Sequence, residues 1–492
     1  MMVVRYMIGW TTVCSTLRSK RLLYNQVMRP FEILLLAANG LLLFWWLRPL
    51  SRSRWASLLP ATALLLLLLH LFLEGGRWQM VPAYGLTAVA IPLVLLTLRL
   101  PASRPRWQTI VGGLVGLMAL VVAAALSVAL PVPNLPPMTG PYPVGTFSLY
   151  LVDQSRTDRY ADAPDAPREL MVQFWYPAAP TGQEEAALFL PDLPLMAPVI
   201  ARQFGLPPFI LNHANLTRLE ITASPPAANG RFPLLLFAHG LTGLRIQNSS
   251  MMRELASHGY VVAALDHTYA NAIAIFPDGR AILYDPCRLF SVLPNCAANY
   301  VDGNNLVRQW ADDMAFLLDT IAAWDETTSG ILAGKVATER VGVFGHSTGG
   351  GATLQFCLDD PRCVAGLGLD AWLLPVDRRA LTAPPTQPFL FLNTPDWLGA
   401  ENQAHGRNLL QALNVGYELT LAGTEHFDFS DIVLLSPLTA RLGISGEIDS
   451  LYSLQMQNHV VLSFFNRYLR LADDDFLERP SPYPELTIRR VK

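Results

Sequence analysis

A serine becomes a useful nucleophile only when a base takes its proton and the backbone lifts its hydroxyl clear. The segment "RVGVFGHSTGGGATLQFCLDD" offers such a serine, as Gly345-x-Ser347-x-Gly349 between an apolar strand pattern and a helical one. A sharp strand-to-helix turn needs small flanking residues, and it raises the Ser347 hydroxyl above a sheet. The helix amino terminus behind it adds partial positive charge where an anionic intermediate would form. A second N–H donor should come from the loop after an earlier strand. "FPLLLFAHGLTG" fits, as strand Phe232–Ala238 followed by His239-Gly240-Leu241. The oxyanion donors are therefore read as the backbone N–H groups of Leu241 and Thr348, with His239 organising the loop rather than acting as base.

Where the serine sits on a strand-to-helix turn of this kind, the chain order is serine, acid, histidine. Only His405, His426 and His459 follow Ser347. His405 and His459 lie in helical patterns, whereas His426 sits in "LAGTEHFDFSD", just past a strand, and is read as the general base. Asp370, ending "VAGLGLD" beside Trp372, and Asp396, after "PFLFLNTPD", both occupy positions suited to the acid. Asp370 looks the better shielded, and position alone leaves both open. The chain has no CxxC or HExxH pattern, so a zinc site has little support, and the serine mechanism requires neither metal nor cofactor.

These residues need a scaffold. Strands are expected at Thr146–Val152, Leu170–Tyr176, Phe232–Ala238, Tyr260–Leu265, Arg340–Phe344, Val364–Leu369, Pro388–Leu392 and Tyr417–Ala422. Helices are expected at Asn248–His258, Leu306–Trp324, Gly349–Leu358, Asn402–Ala412 and Leu451–Leu471. Strands alternating with helices imply an α/β class with a mostly parallel sheet flanked by helices. The first two strands lack an intervening helix and read as an antiparallel edge hairpin. The apolar, proline-rich insertion Ala186–Ile210 is either a lid or acyl-chain wall, or a loop packed on the domain.

The 492 residues are 51% hydrophobic and 15% charged, and the apolar excess is local. Four apolar runs, 31–47, 55–73, 80–98 and 107–130, precede the polar part of the chain. A 19-residue helix spans about 28 Å, close to a bilayer's hydrocarbon thickness. Trp45, Trp46, Trp55, Trp78 and Trp107 cluster at the run ends, where an interfacial belt belongs. We read residues 1–130 as a membrane domain of four transmembrane helices, 131–145 as a proline-rich linker, and 146–492 as the catalytic domain. His70 reads as a neutral imidazole near the membrane interface.

The loops after the first and third runs carry Arg48, Arg52, Arg54, Arg99, Arg104 and Arg106; the other side carries Arg5, Arg18, Lys20, Arg21, Arg29 and Arg77. Counted from Met1 the two sides tie; counted from Met28 the first side wins and faces the cytoplasm, leaving the catalytic domain outside. The close cysteine pairs Cys287/Cys296 and Cys357/Cys363 suit disulfides in an oxidising compartment and agree with that orientation. A net charge of −3 gives no footprint for nucleic acid.

The segments "FAHGLTGLRIQNSSMMRELASHGYVVAALDH", "GHSTGG", "LGLDAW" and "AGTEHFDFSD" resemble the plasma-type (isoform II) platelet-activating factor acetylhydrolase family, from about "GPYPVGTFSL" to the carboxy terminus. Thr348 departs from the Phe of the mammalian elbow, and the first ~140 residues have no counterpart there. The resemblance implies an α/β-hydrolase fold. It also selects the acid in the D-A-W segment, so the triad becomes Ser347, Asp370 and His426. It implies a calcium-independent esterase acting on short-acyl or oxidised phospholipids, with a lipid or small ester and the bilayer as partners. A general exported esterase or peptidase on the same triad is the alternative; a non-catalytic membrane scaffold is the third reading.

Overall fold

The computed structural model describes residues 28–47, 58–99, 105–289, 300–327 and 330–491. Trp55, Cys14, Cys296, and the cations Arg5, Arg18, Lys20, Arg21, Arg48, Arg52, Arg54 and Arg104 lie outside them. The chain divides into two compact units: Met1–Asn134 with Leu211–Thr217 and Leu435–Leu438, and all the rest.

The first unit is helical. Its helices are α1 (Pro30–Leu47), α2 (Leu58–Leu69, continued as a π-helix over His70–Glu74), α3 (Val81–Arg99) and α4 (Arg106–Ala129). Every apolar run thus forms a helix, but among the described residues two of them, Pro30–Leu47 and Arg106–Ala129, are long and apolar enough to cross a membrane, not the four expected. The second run is shorter, with 12 residues of α-helix before its π-helical end, and the third carries Pro92 inside.

The unit is apolar outside and polar inside. Phe44, Phe72, Leu114 and Met118 are exposed, while Glu32, Asn39, His70 and Gln79 are fully buried. Asn39 Nδ2 donates to Thr87 Oγ1 at 2.9 Å, tying α1 to α3. Glu32 accepts from Arg77 Nη2 at 2.6 Å and from Arg29 Nη2 at 2.8 Å. His70 is not at an open interface: it is shut inside, with Nδ1 2.9 Å from Glu74 Oε2 and Nε2 2.6 Å from the Tyr84 hydroxyl.

The second unit is built on a sheet of ten strands. In chain order the strands are β1 (Val144–Thr157), β2 (Pro167–Pro177), β3 (Thr222–Ala223), β4 (Phe232–Ala238), β5 (Val261–Asp266), β6 (Ile273–Ile275), β7 (Ala281–Leu283), β8 (Val336–His346), β9 (Cys363–Leu369), β10 (Phe389–Asn393), β11 (Gly416–Leu421) and β12 (Leu486–Arg490). The sheet order is β12-β11-β10-β9-β8-β4-β5-β2-β1-β3, and β6 pairs with β7 apart from it. Strands β5, β4, β8, β9, β10 and β11 run parallel; β1–β2, β2–β5 and β11–β12 are antiparallel.

Parallel strands covered on both faces read as unbroken apolar runs. Accordingly Leu234, Leu235, Leu236, Phe237 and Ala238 of β4 are all fully buried. The insertion forms α5 (Leu193–Gln203), and the covering helices are α6 (Ser249–Ser257), α7 (Tyr300–Thr327), α8 (Thr348–Asp359), α9 (Ala400–Ala412) and α10 (Ser450–Tyr468). The end of the proline-rich stretch 131–145 bonds to this unit where it enters it. Thr139 N–H donates to Glu254 Oε2 at 2.8 Å and Tyr142 N–H to Ser257 O at 3.0 Å, fastening it to α6.

Candidate active site

Strand β8 runs into α8 through one residue, Ser347, with φ 55° and ψ −120°. A side chain in that region costs on the order of 1–3 kcal/mol, so packing must hold it. Gly345 and Gly349 make the turn possible. A Cβ on Gly349 would overlap the carbonyls of Ala238 and His239, and one on Gly345 would overlap Gly349 itself. Ser347 N–H donates to Leu369 O at 3.0 Å, and Ser347 O accepts from Trp372 N–H at 2.8 Å. The serine backbone is therefore bonded on either side of Asp370.

Asp370 lies at the end of β9, 1% exposed, and also carries a positive φ, 42°. Its Oδ2 is 2.7 Å from His426 Nδ1. Its other oxygen accepts from the Thr394 N–H and hydroxyl, both at 2.9 Å. A carboxylate so held keeps the proton of the bonded imidazole on Nδ1 and leaves Nε2 as an acceptor. Asp396, the other candidate acid, is exposed. His405 lies in α9, and His459 in α10 bonds the Tyr483 hydroxyl at 2.9 Å.

His426 opens a short 3₁₀ turn whose acidic residues fasten it. Asp428 accepts from Glu425 N–H at 2.8 Å and Gly446 N–H at 2.6 Å. Asp431 accepts from Ser250 N–H at 2.8 Å and also from the Ser250 hydroxyl. Burial pushes the Asp431 carboxyl up to about 6. The sequence "HFDFSD" held this information in its acid spacing, but only the fold shows what the acids grip.

The loop after β4 lies against the elbow, where a Cβ on Gly240 would come 3.3 Å from Ser347 Cβ. His239 is fully buried, with Nδ1 2.6 Å from Gly240 O and Nε2 accepting from His267 N–H at 3.2 Å. Neither the Leu241 nor the Thr348 N–H has an acceptor among the described residues. Two unpaired donors beside a strained serine can stabilise an oxyanion. The insertion forms the helix α5 and a following loop. Gln203 Nε2 donates to Thr242 O at 3.3 Å, and the Phe204 ring packs edge-on to Phe427 at 6.1 Å. It thereby touches both the loop after β4 and the histidine turn.

Two other polar clusters do different work. Ligand atoms of Glu32, His70 and Glu74 lie within 4.8 Å of one another, but Glu32 is already neutralised by two guanidiniums and Glu74 Oε1 accepts from Phe31 N–H. That donor set is a salt network rather than a cation cage. A cavity of about 320 Å³ is lined by Arg156, Arg159, Arg168, Arg308, Asn305 and Gln309. Three of its four guanidiniums are paired with Asp153, Asp158, Asp313 or Asp377, which leaves little positive field for an anion.

Cys357 and Cys363 form a disulfide. Cys287 is also disulfide-bonded, and its expected partner Cys296 lies outside the described residues.

A mostly parallel sheet with a strained serine between strand and helix, and a buried Asp–His pair at the following strand ends, defines an α/β-hydrolase. The chain belongs to the platelet-activating factor acetylhydrolase, isoform II, family, whose model matches residues 129–278 and 325–479, well over half of the chain. It is similar to platelet-activating factor acetylhydrolase of Canis lupus familiaris, 26% identical over 275 residues that cover 51% of this chain and 60% of that protein. The matched part thus spans about three-fifths of that relative's length. A probable 1-alkyl-2-acetylglycerophosphocholine esterase of Arthroderma benhamiae is 26% identical over 413 residues, 75% of this chain and 97% of that one. Among solved structures, a ferulic acid esterase from Streptomyces cinnamoneus is similar with a TM-score of 0.59 and 27% identity, covering 73% of this chain and 99% of that chain.

Proposed function

We propose that this protein is a membrane-anchored serine esterase that cleaves short-acyl or oxidised phospholipids through an acyl-enzyme, without calcium. The observation that carries the reading is the Asp370–His426 bond of 2.7 Å set beside the strained Ser347 turn. His426 Nε2 takes the Ser347 proton as the hydroxyl oxygen attacks the ester carbonyl. The oxyanion is met by the Leu241 and Thr348 N–H groups, and His426 returns the proton to the leaving alcohol. Water, deprotonated by the same imidazole, then releases the acid. Aimed donors of this kind contribute about 3–4 kcal/mol each.

The names of the relatives support the substrate class. The contacts of the insertion with Thr242 and Phe427, and its exposed Leu195, Leu206 and Phe209, support an acyl-chain wall. The apolar exterior and polar interior of the helical unit support an integral anchor, and the disulfides support an extracytoplasmic catalytic unit. A broader esterase is the second reading, favoured by the likeness to the ferulic acid esterase along 99% of that chain.

An acyl-length series on the purified chain in detergent, with chelator throughout, separates these. Cleavage should be fastest on two-carbon acyl groups and fall steeply on long diacyl phospholipids. Activity on soluble aryl esters alone would leave the mechanism and remove the lipid, and a calcium requirement or preference for peptide amides would overturn the reading.

A further inference from the structure

The oxyanion loop follows β4 and the histidine turn follows β11, so nothing local holds one to the other. Gln247 and His346 join them. Gly240 N–H donates to Gln247 Oε1 at 3.3 Å, Gln247 Nε2 donates to His346 Nδ1 at 3.0 Å, and His346 Nε2–H donates to His426 O at 3.1 Å. The polarity of this path is set at both ends. A backbone N–H only donates, so Gln247 must turn its oxygen to Gly240 and its NH₂ to His346. A backbone carbonyl only accepts, so His346 must carry its proton on Nε2.

His346 is therefore a neutral ring in one tautomer, 3% exposed. Burial, and then the neighbouring His426, hold it well below the usual histidine range. Its ring centroid lies 4.5 Å from that of His426. Gln247 is anchored in turn: Nε2 also donates to Asn248 Oδ1 at 3.1 Å, and its backbone carbonyl accepts from Asp431 N–H at 3.0 Å. The closure is tight, since a Cβ on Gly240 would stand 2.8 Å from His346 Nδ1.

We infer that Gln247 and His346 are positioning residues that lock the oxyanion loop and the histidine turn into one register over Ser347. The inference rests on the serine-esterase reading above and adds how donors and base stay aligned as charge develops. Misplacing a catalytic group by about 1 Å can cost roughly 10²-fold in rate.

The test uses the full chain in detergent, with short-chain ester turnover and the rate of Ser347 labelling by a fluorophosphonate as paired readouts. His346→Phe keeps a flat ring without its bonds, and Gln247→Leu removes the middle of the path. Each should lower kcat and the labelling rate by about 10–100-fold with KM within about two-fold. The double variant should be no worse than the worse single, because the path acts as a unit. His346→Gln restores a donor to His426 O and should recover to within about five-fold of the parent. Near-parental kcat in Gln247→Leu, additive losses, or equal losses in His346→Phe and His346→Gln would overturn the inference. Gln247 is only half-buried, so Gln247→Leu decides the matter should His346→Phe fail to fold. Ser347→Ala separates the two levels: if it retains turnover the esterase reading itself falls, and if it is dead while the bridge variants run normally only the bridge falls.

Discussion

Leu114 and Met118 face outward from the helical unit while Glu32 and Arg77 are shut inside it; in the catalytic unit the apolar side chains of β4 are shut inside. Removal of apolar surface from water accounts for the second pattern and not for the exposed apolar side chains of the first. Two buried carboxylates, one from each region, show two ways of holding a charge. Glu32 is met by two guanidiniums, whereas Asp431 is held by a backbone N–H and a hydroxyl of Ser250. Two guanidiniums neutralise the Glu32 carboxylate, and the catalytic unit does the same for Asp313 with Arg156 and Arg168. In a domain with a wet surface, a polar cradle can suffice, at the cost of a raised pKa.

Six variants sharpen or break this contrast. The largest effect belongs to the catalytic unit alone: Ser347→Ala should abolish ester turnover, and Asp370→Asn should lower kcat by about 10³–10⁴-fold. Asp396→Asn should stay within about two-fold, and all three should remain in the membrane fraction after carbonate extraction. If Asp396→Asn proved the crippling change instead, the acid assignment would be wrong.

Next comes Glu32→Leu, which leaves Arg77 buried without its carboxylate and should cost about 3–5 kcal/mol. Denaturant titration in micelles reads it, and a loss below about 1 kcal/mol would mean that the helical interior is wet.

Asp431→Asn probes the other kind of carboxylate. The folded pKa of about 6 lies above the ordinary aspartate value of 3.8, so the native state holds this proton more tightly than the unfolded chain does. That contribution is fully present below about pH 4 and is lost as pH rises through 6. Asn cannot ionise, so Asp431→Asn should gain on the parent between pH 4 and 7, by on the order of 3 kcal/mol. Melting curves across that range check it, and a gap that shrinks with rising pH would refute the cradle. The smallest change is Cys357→Ser with Cys363→Ser. Opening a loop of sequence separation 6 should cost about 2 kcal/mol in the chain-entropy estimate, seen as a lower urea midpoint under non-reducing conditions.

Much of the catalytic unit can be read without its coordinates. Phe232–Ala238 is a strand in pattern and in structure, residue for residue. Ser347 needs a glycine on either side, and the turn it occupies needs the same two glycines. What escaped the pattern was the two-residue β3, the β6–β7 hairpin, the edge strand β12 and helix α5. Helix α5 carries Pro194 in its first turn, where a helix tolerates it, and Pro198 inside, where a proline argues against a helix unless tertiary packing supports it.

Arg77 shows the same limit from the other side. Counted along the chain it is a loop cation, yet it is buried against Glu32, 45 residues away.

By itself the sequence determined the strand–Ser347–helix turn, the histidine that follows a late strand, and four apolar helices. Each is written in spacings of two to four residues, the range over which strand alternation and helix periodicity act. Residue spacing left Asp370 and Asp396 open until the family resemblance selected Asp370; only the tertiary structure shows the bond from Asp370 to His426, the connection of Gly240 to His426 through Gln247 and His346, and the pairing of Glu32 with Arg29 and Arg77. Those pairings join residues brought together by sheet order and helix packing, and a hydrogen bond's direction and a burial cost exist only once the partners and their shielding are in place.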